Sequence, residues 1–439
     1  MAAPRVDSAR VTFSRRQLIG AAGATGLVAA GAGRWLPDGA AEAAAATLPA
    51  PHRSGIEHVV VVMMENRSFD HFLGWLPGAD GRQAGLSYVD RYGVRHRTHH
   101  LTAYDSCGFH DPDHSYEGGR IELNGGKCDG WLRAGENDLL AIGYYTKPDL
   151  TFLGPAAEDW TTFDRYFSAV MAETYPNRFY QHCARTDRLH NSNAQSVLPT
   201  IWDRLAGKGV SGTYYFSDVP FTALWYGKYQ SISKPFAQFL TDAAAGTLPA
   251  VSFVDPRFED EASGTSNDDH PHADIRAGEA FLNQVYDAVR TGPGWENTVL
   301  IINYDEWGGF YDHVAPTRAP DVSPQTALRG FRVPCVLISP LARRGHVSHH
   351  VYDHTSILRM IEWRWGLRPL TKRDANARNI AEVLNFERGP RLSSPTYDAP
   401  VPQPPPACPT EKDEVPGSEF AEWPGLREVA LRNGWRLPS

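Results

Sequence analysis

The chain has 439 residues, 42% of them hydrophobic and including 12 Trp, 18 Tyr and 19 Phe, enough for one large α/β core or two smaller ones. A formal net charge of −8, with no long run of Lys or Arg, argues against an extended basic face, so nucleic acid is not an expected partner.

In chain order, residues 1–45 read as an export signal. Ser14-Arg15-Arg16-Gln17-Leu18-Ile19 precedes a weakly apolar Gly/Ala stretch from Gly20 to Gly33, and Ala41-Glu42-Ala43 offers small residues for cleavage. The stretch is short and glycine-rich beside the ~20 apolar residues of a membrane span. The expectation is a twin-arginine signal peptide, with the twin-arginine translocase as a partner during export and a secreted, extracellular or cell-envelope destination. That route carries folded proteins, which suits a chain that takes up a metal before it leaves the cytoplasm.

Residues 46–394 read as the folded domain. Strand-like runs recur at Ile56 to Met64, Gly212 to Phe216, Ala250 to Val254, Val299 to Tyr304 and Val333 to Ser339. Helix-like periodicity covers Ala273 to Arg290 and His354 to Trp365. This alternation predicts an α/β fold with a mostly parallel central sheet and helices on both faces. Gly85 to Leu153 has little periodicity and is too long for an ordinary connection, so a lid or wall is expected there. Residues 395–439 read as a proline-rich segment followed by a C-terminal extension, with a short helix at Pro424 to Arg432. Of the five cysteines, Cys107 and Cys128 are the expected disulfide, both lying in the loop-rich region.

Two of the strand-like runs end in adjacent oxygen donors. Val59-Val60-Val61-Val62-Met63-Met64 runs into Glu65-Asn66, and Thr298-Val299-Leu300-Ile301-Ile302-Asn303-Tyr304 runs into Asp305-Glu306. Strands buried on both faces place such residues at the carboxyl edge of a parallel sheet, where open α/β sheets bind ligands. The three carboxylates would repel one another unless a cation sat among them. Glu65, Asn66, Asp305 and Glu306 are therefore candidate metal ligands.

A third string is Glu173-Thr174-Tyr175-Pro176-Asn177-Arg178. Pro176 suits the first turn of a helix, placing Thr174 at or just before the helix start, among N–H groups that favour anions. There Thr174 is a candidate nucleophile, helped by Arg178 on the phosphoryl oxygens, or else a simple N-cap. Asp312 and His313, Asp70 and His71, and His354 either brace the ligands or are ordinary structural groups. Arg95, His96, Arg97, His99 and His100 read as a solvated loop, and Trp225, Tyr226 and Tyr229 as core or as a lipid-facing mouth.

Together, Glu65-Asn66-Arg67-Ser68-Phe69-Asp70-His71, Thr174-Tyr175-Pro176-Asn177-Arg178, His270-Pro271 and Asp305-Glu306-Trp307-Gly308-Gly309-Phe310-Tyr311-Asp312-His313 resemble, in order, the secreted phosphoesterase family of bacterial and plant non-specific phospholipases C and a related acid phosphatase. The resemblance spans roughly Ile56 to Leu367. It implies an alkaline phosphatase-like core, metal ligation by Glu65, Asn66, Thr174, Asp305 and Glu306, and Thr174 as nucleophile. His270 and His114 then bind phosphoryl oxygens or protonate the leaving group, although His110 could align in place of His114. Thr174-x-Pro176-x-Arg178 also resembles the sulfatase signature, but threonine cannot become the aldehyde hydrate that sulfatases use.

The expected reaction is attack on a phosphodiester by Thr174, its hydroxyl acidified by one divalent ion, with a protonated histidine releasing the alcohol and a phosphothreonine intermediate. Oxygen ligands favour Ca²⁺, with Mg²⁺, Mn²⁺ or Zn²⁺ also compatible. Threonine at position 174 favours a phospholipase C acting on phosphatidylcholine-like lipids at a membrane surface. The competing readings are an acid phosphatase-type phosphomonoesterase and a secreted binding protein on a decayed phosphatase scaffold.

Overall fold

The β-branched runs fold as strands because their side chains are apolar on both faces and both faces are covered. In the computed structural model, which describes residues 48–261, 263–403, 408 and 422–438, one sheet contains β1 (His58–Met64), β2 (Thr161–Phe163), β3 (Gly212–Phe216), β4 (Ser233–Pro235), β5 (Val251–Val254), β6 (Thr298–Tyr304), β7 (Cys335–Ile338) and β8 (His346–Ser348). The strand order is β8-β2-β7-β6-β1-β5-β3-β4. Pairing is parallel except where β7 runs antiparallel to both β6 and β2. The expected α/β class and mostly parallel sheet are what the structure shows.

The register decides where the chemistry falls. β1 lies between β6 and β5, with Met64 opposite Tyr304 and Val62 opposite Val254. All three strands thus end at one edge, and the residues that leave them there are Glu65, Asp305 and Asp255.

The principal helices are α1 (Phe69–Leu73), α2 (Thr174–Cys183), α3 (Phe236–Ala245), α4 (Ile275–Thr291), α5 (His354–Trp365) and α6 (Glu422–Arg432). α4 begins at Asp274, whose carboxylate accepts from Arg276 N, and buries Ile275, Leu282, Val285 and Val289 on one face. α5 begins with a capping box between Asp353 and Ser356 and ends at Gly366 in the left-handed conformation. α2 is buried along its whole length and packs against α5.

The expected Cys107–Cys128 disulfide is corrected: Cys107 pairs with Cys408, at a Cα–Cα distance of 5.4 Å. Cys128 is packed instead with Trp131, Met171, Trp307 and Phe331, and Cys183 and Cys335 are buried free thiols. Sequence proximity misled because the true partner arrives from 301 residues away. The C-terminal residues pack onto the domain: the Tyr397 hydroxyl meets Asp159 and Trp160, and Trp423 on α6 stacks on Phe258 at 3.9 Å. The expected export signal lies outside the described residues.

Candidate active site

The two chain segments leaving β1 and β6 are locked together. Asn66 N donates to Asp305 Oδ1 at 3.3 Å, and Asn66 adopts a left-handed φ of 57° that non-glycine residues seldom take. Gly308 makes this approach possible. It has a φ of +62°, and a Cβ there would lie 2.2 Å from the Asn66 carbonyl oxygen.

Glu65, Asn66, Asp305 and Glu306 are all fully buried at this edge; among the described residues, the groups whose ligand atoms lie within 4.8 Å of one another here are Glu65 with Glu261 and His270, and Asp111 with His114 and His270. Thr174 is the first residue of α2 and is 2% exposed. Arg178, four residues later on the same helical face, reaches Glu65 Oε1 at 3.0 Å and Asp305 Oδ2 at 3.5 Å. The face of α2 that carries Thr174 is thereby turned to the carboxylates.

Arg178 is expected on the phosphoryl oxygens, and the structure shows its carboxylate partners. Its guanidinium is 2% exposed and is committed to Glu65, to Asp255 Oδ1 at 3.3 Å, to Asp305 and to the Met63 carbonyl at 3.2 Å. It is a counter-ion to the carboxylates at the strand ends. Burial works against its charge, and Asp255, Glu65 and Asp305 together more than offset that, holding its pKa above the ordinary value.

His114 Nδ1 is 2.7 Å from the Pro112 carbonyl, and its Nε2 is 3.1 Å from Asn66 Nδ2. Since a carbonyl only accepts, Nδ1 carries a proton, while Nε2 faces both the Asn66 amide and Glu306 Oε1, 3.9 Å away. His270 Nδ1 is likewise bonded to a backbone carbonyl, that of Pro271, while its Nε2 lies 3.7 Å from Asp111 Oδ2. The rings of His114 and His270 are 6.0 Å apart. His110, the alternative to His114, uses its backbone N–H to bond Asp138.

The donor set fits a hard divalent cation. Asn66 Oδ1 is buried with no hydrogen-bond partner among the described residues, Glu65 meets a second buried carboxyl in Glu261, and one guanidinium cannot neutralise Glu65, Asp255 and Asp305 together. Burial, with Asp305 and Asp268 adding repulsion, pushes the Glu65 carboxyl well above its usual range against the pull of Arg178. Burial likewise pushes Asp305 up to about 6, again opposed by Arg178.

Sequence reading did not single out Asp255, Asp111, Glu261 or Asp268. Asp255 follows β5 just as Glu65 follows β1, so the same signal marked it. Glu261 and Asp268 come from an irregular loop, and burial raises both, Asp268 to about 8. Among the other candidates, His354 Nε2 bonds the Tyr304 carbonyl at 3.1 Å, Trp225 and Tyr229 are core, and Arg95–Arg97 is a short, mostly exposed strand. Asp70, Asp312 and His313 bond one another and Arg332.

The sequence model of the Phosphoesterase family matches residues 56–368. The chain belongs to the Phosphoesterase family. It is an enzyme, a phosphoric ester hydrolase, acting on a phosphate ester. It is similar to non-specific phospholipase C1 of Arabidopsis thaliana, 32% identical over 401 residues that cover 79% of this chain and 74% of the relative. It is also similar to phospholipase C B of Mycobacterium tuberculosis, 30% identical over 472 residues and 88% of each chain. Among solved structures, a member of the alkaline phosphatase superfamily from Vibrio parahaemolyticus aligns over 76% of this chain and 71% of its own, at 10% identity and a TM-score of 0.39, too loose a likeness to carry a functional comparison.

Proposed function

We propose that this phosphoesterase is an exported, metal-dependent phospholipase C that hydrolyses phosphatidylcholine-like diesters through a phosphothreonine intermediate. The observation that carries the reading is the convergence of Glu65, Asn66, Asp305 and Glu306 at one sheet edge, beneath the helix that opens with Thr174. The phospholipase C names of the relatives support the substrate class.

Glu65, Asn66, Asp305, Glu306 and Thr174 would hold the ion, with Ca²⁺ preferred on its oxygen donors and Mg²⁺, Mn²⁺ or Zn²⁺ compatible. When bound, the ion supplies positive charge that acidifies a neighbouring hydroxyl and draws off phosphoryl charge. Thr174 gives up its hydroxyl proton to water and attacks phosphorus, its Oγ forming the new ester bond as the P–O bond to the lipid alcohol breaks. His270 gives that alcohol its proton. His114, beside Asn66 and Glu306, is the second histidine available to bind the phosphoryl oxygens. Water then cleaves the phosphothreonine. Arg178 and Asp255 hold Glu65 and Asp305 in place throughout.

The test is side-by-side turnover of p-nitrophenyl phosphorylcholine and p-nitrophenyl phosphate. Strong diester turnover is expected, and rapid monoester turnover with an inert diester would replace this reading by an acid phosphatase. Export by the twin-arginine route predicts that replacing Arg15 and Arg16 by Lys retains a reporter fusion in the cytoplasm.

A further inference from the structure

Beyond the ligands, the same two chain segments meet a second time. After Glu65-Asn66 the chain enters α1 at Ser68, and after Asp305-Glu306 it turns at Gly308-Gly309 and reaches Asp312-His313. Ser68 Oγ donates to the Tyr311 carbonyl at 2.6 Å, and Asp70 N donates to Asp312 Oδ2 at 3.3 Å. His313 returns the contact twice on Asp70 Oδ2, from its backbone N at 2.9 Å and its Nδ1 at 2.6 Å.

A third segment closes the ring. Arg332, just ahead of β7, accepts from Phe69 N with its carbonyl at 2.9 Å. Its Nε reaches Asp312 Oδ1 at 2.9 Å and its Nη2 reaches Asp70 Oδ1 at 3.1 Å, while Nη1 bonds the carbonyls of Asp80 and Asp164 at 2.7 and 2.8 Å. Asp70, Asp312 and Arg332 are fully buried. Asp70, Asp312 and His313 lie close enough to make a cation site of their own, but the guanidinium already bonds both carboxylates.

Buried ion pairs of this kind cost desolvation that apolar packing would avoid, so they are weak stabilisers; what they supply is geometry, since a guanidinium fork accepts carboxylates only at fixed angles and distances. Here the geometry fixed is the separation of two turns that carry donors at their other ends. We propose that Arg332, Asp70, Asp312 and His313 form a clamp that sets the spacing of the Glu65-Asn66 and Asp305-Glu306 turns, so that affinity for a divalent cation depends on residues that do not touch it. These are positioning residues, and the inference rests on the metal-dependent reading above. His313 is the member at the edge, its Nε2 reaching the part-exposed Asp80 at 3.1 Å, so it can be replaced without opening the core.

The test is calorimetric titration of the full chain with MnCl₂ and, separately, CaCl₂, together with the melting temperature of the metal-free protein. His313→Gln and Ser68→Ala are each expected to raise the cation Kd on the order of 10- to 100-fold, as loss of outer ligand support does elsewhere. Metal-free melting should change little in His313→Gln and fall modestly in Ser68→Ala, which also loses the α1 cap on His71 N, and activity should return in both as cation is added to excess. A wild-type Kd in both variants, or lost melting temperature with an unchanged Kd, overturns the clamp while leaving the metal site standing. A wild-type protein that binds neither cation overturns the metal reading itself, and the clamp with it.

Discussion

Thr174 begins a helix that is buried from end to end, a costly place for a hydroxyl that serves only as a cap, and no cap bond from Glu173 competes for the role. Thr174→Ala is expected to lower kcat by about three orders of magnitude or more, as loss of a covalent nucleophile does, while Thr174→Ser keeps measurable turnover. Single-turnover release of p-nitrophenol, with intact-mass detection of phosphate on the wild-type peptide, checks both. Asp255 acts differently, as one carboxylate partner of Arg178. Asp255→Asn leaves a buried guanidinium short of charge and is expected to cost about 3 kcal/mol in urea unfolding. Glu65, Asn66, Asp305 and Glu306 were legible in the sequence because each pair interrupts a long apolar run. Asp255 carried the same mark after a shorter run, whereas Asp111 and Glu261 stand in loops where no period exists to be interrupted. The direction of Arg178 was illegible, since a helix start attracts anions in general and only the fold shows which carboxylates lie beneath it.

Elements bring these residues together through close backbone approach, and Gly308 is where that approach is tightest. An alanine there would hold a left-handed φ, costing about 1–2 kcal/mol, and would also drive its Cβ into the Asn66 carbonyl. Gly366 at the end of α5 supplies the control: it has the same φ of +62°, and a Cβ there would meet nothing within 4 Å. Gly308→Ala is expected to lose clearly more stability than Gly366→Ala and, unlike it, to weaken cation binding. Paired denaturant melts and cation titrations measure the difference, and equal effects would refute the close-approach argument. Strands and the α4 and α5 helices were readable because burial imposes a period on sequence. The antiparallel sense of β7 was not, because a short apolar run looks the same in either direction.

At the scale of the whole molecule, two devices tie distant parts of the chain together, and only one left a trace in local sequence. The Cys107–Cys408 bridge closes a loop of 301 residues, so its loss through Cys408→Ser is expected to cost about 4 kcal/mol, measured by unfolding with and without reductant. The second device is the proposed cation site at the ends of β1 and β6, neighbours at the centre of the sheet. Chelation with EDTA should lower the melting temperature reversibly, by an amount equivalent to about 2.7 kcal/mol when free cation had stood a hundredfold above its Kd. Glu65→Gln separates this linkage from ordinary packing. It takes one carboxylate from the buried Arg178, so the metal-free variant should melt somewhat lower than the metal-free wild type, as is expected of Asp255→Asn. The same change removes a ligand, so added cation should no longer raise its melting temperature. A variant that loses stability without metal, yet still gains it on adding metal, would show that Glu65 serves the sheet edge rather than the ion.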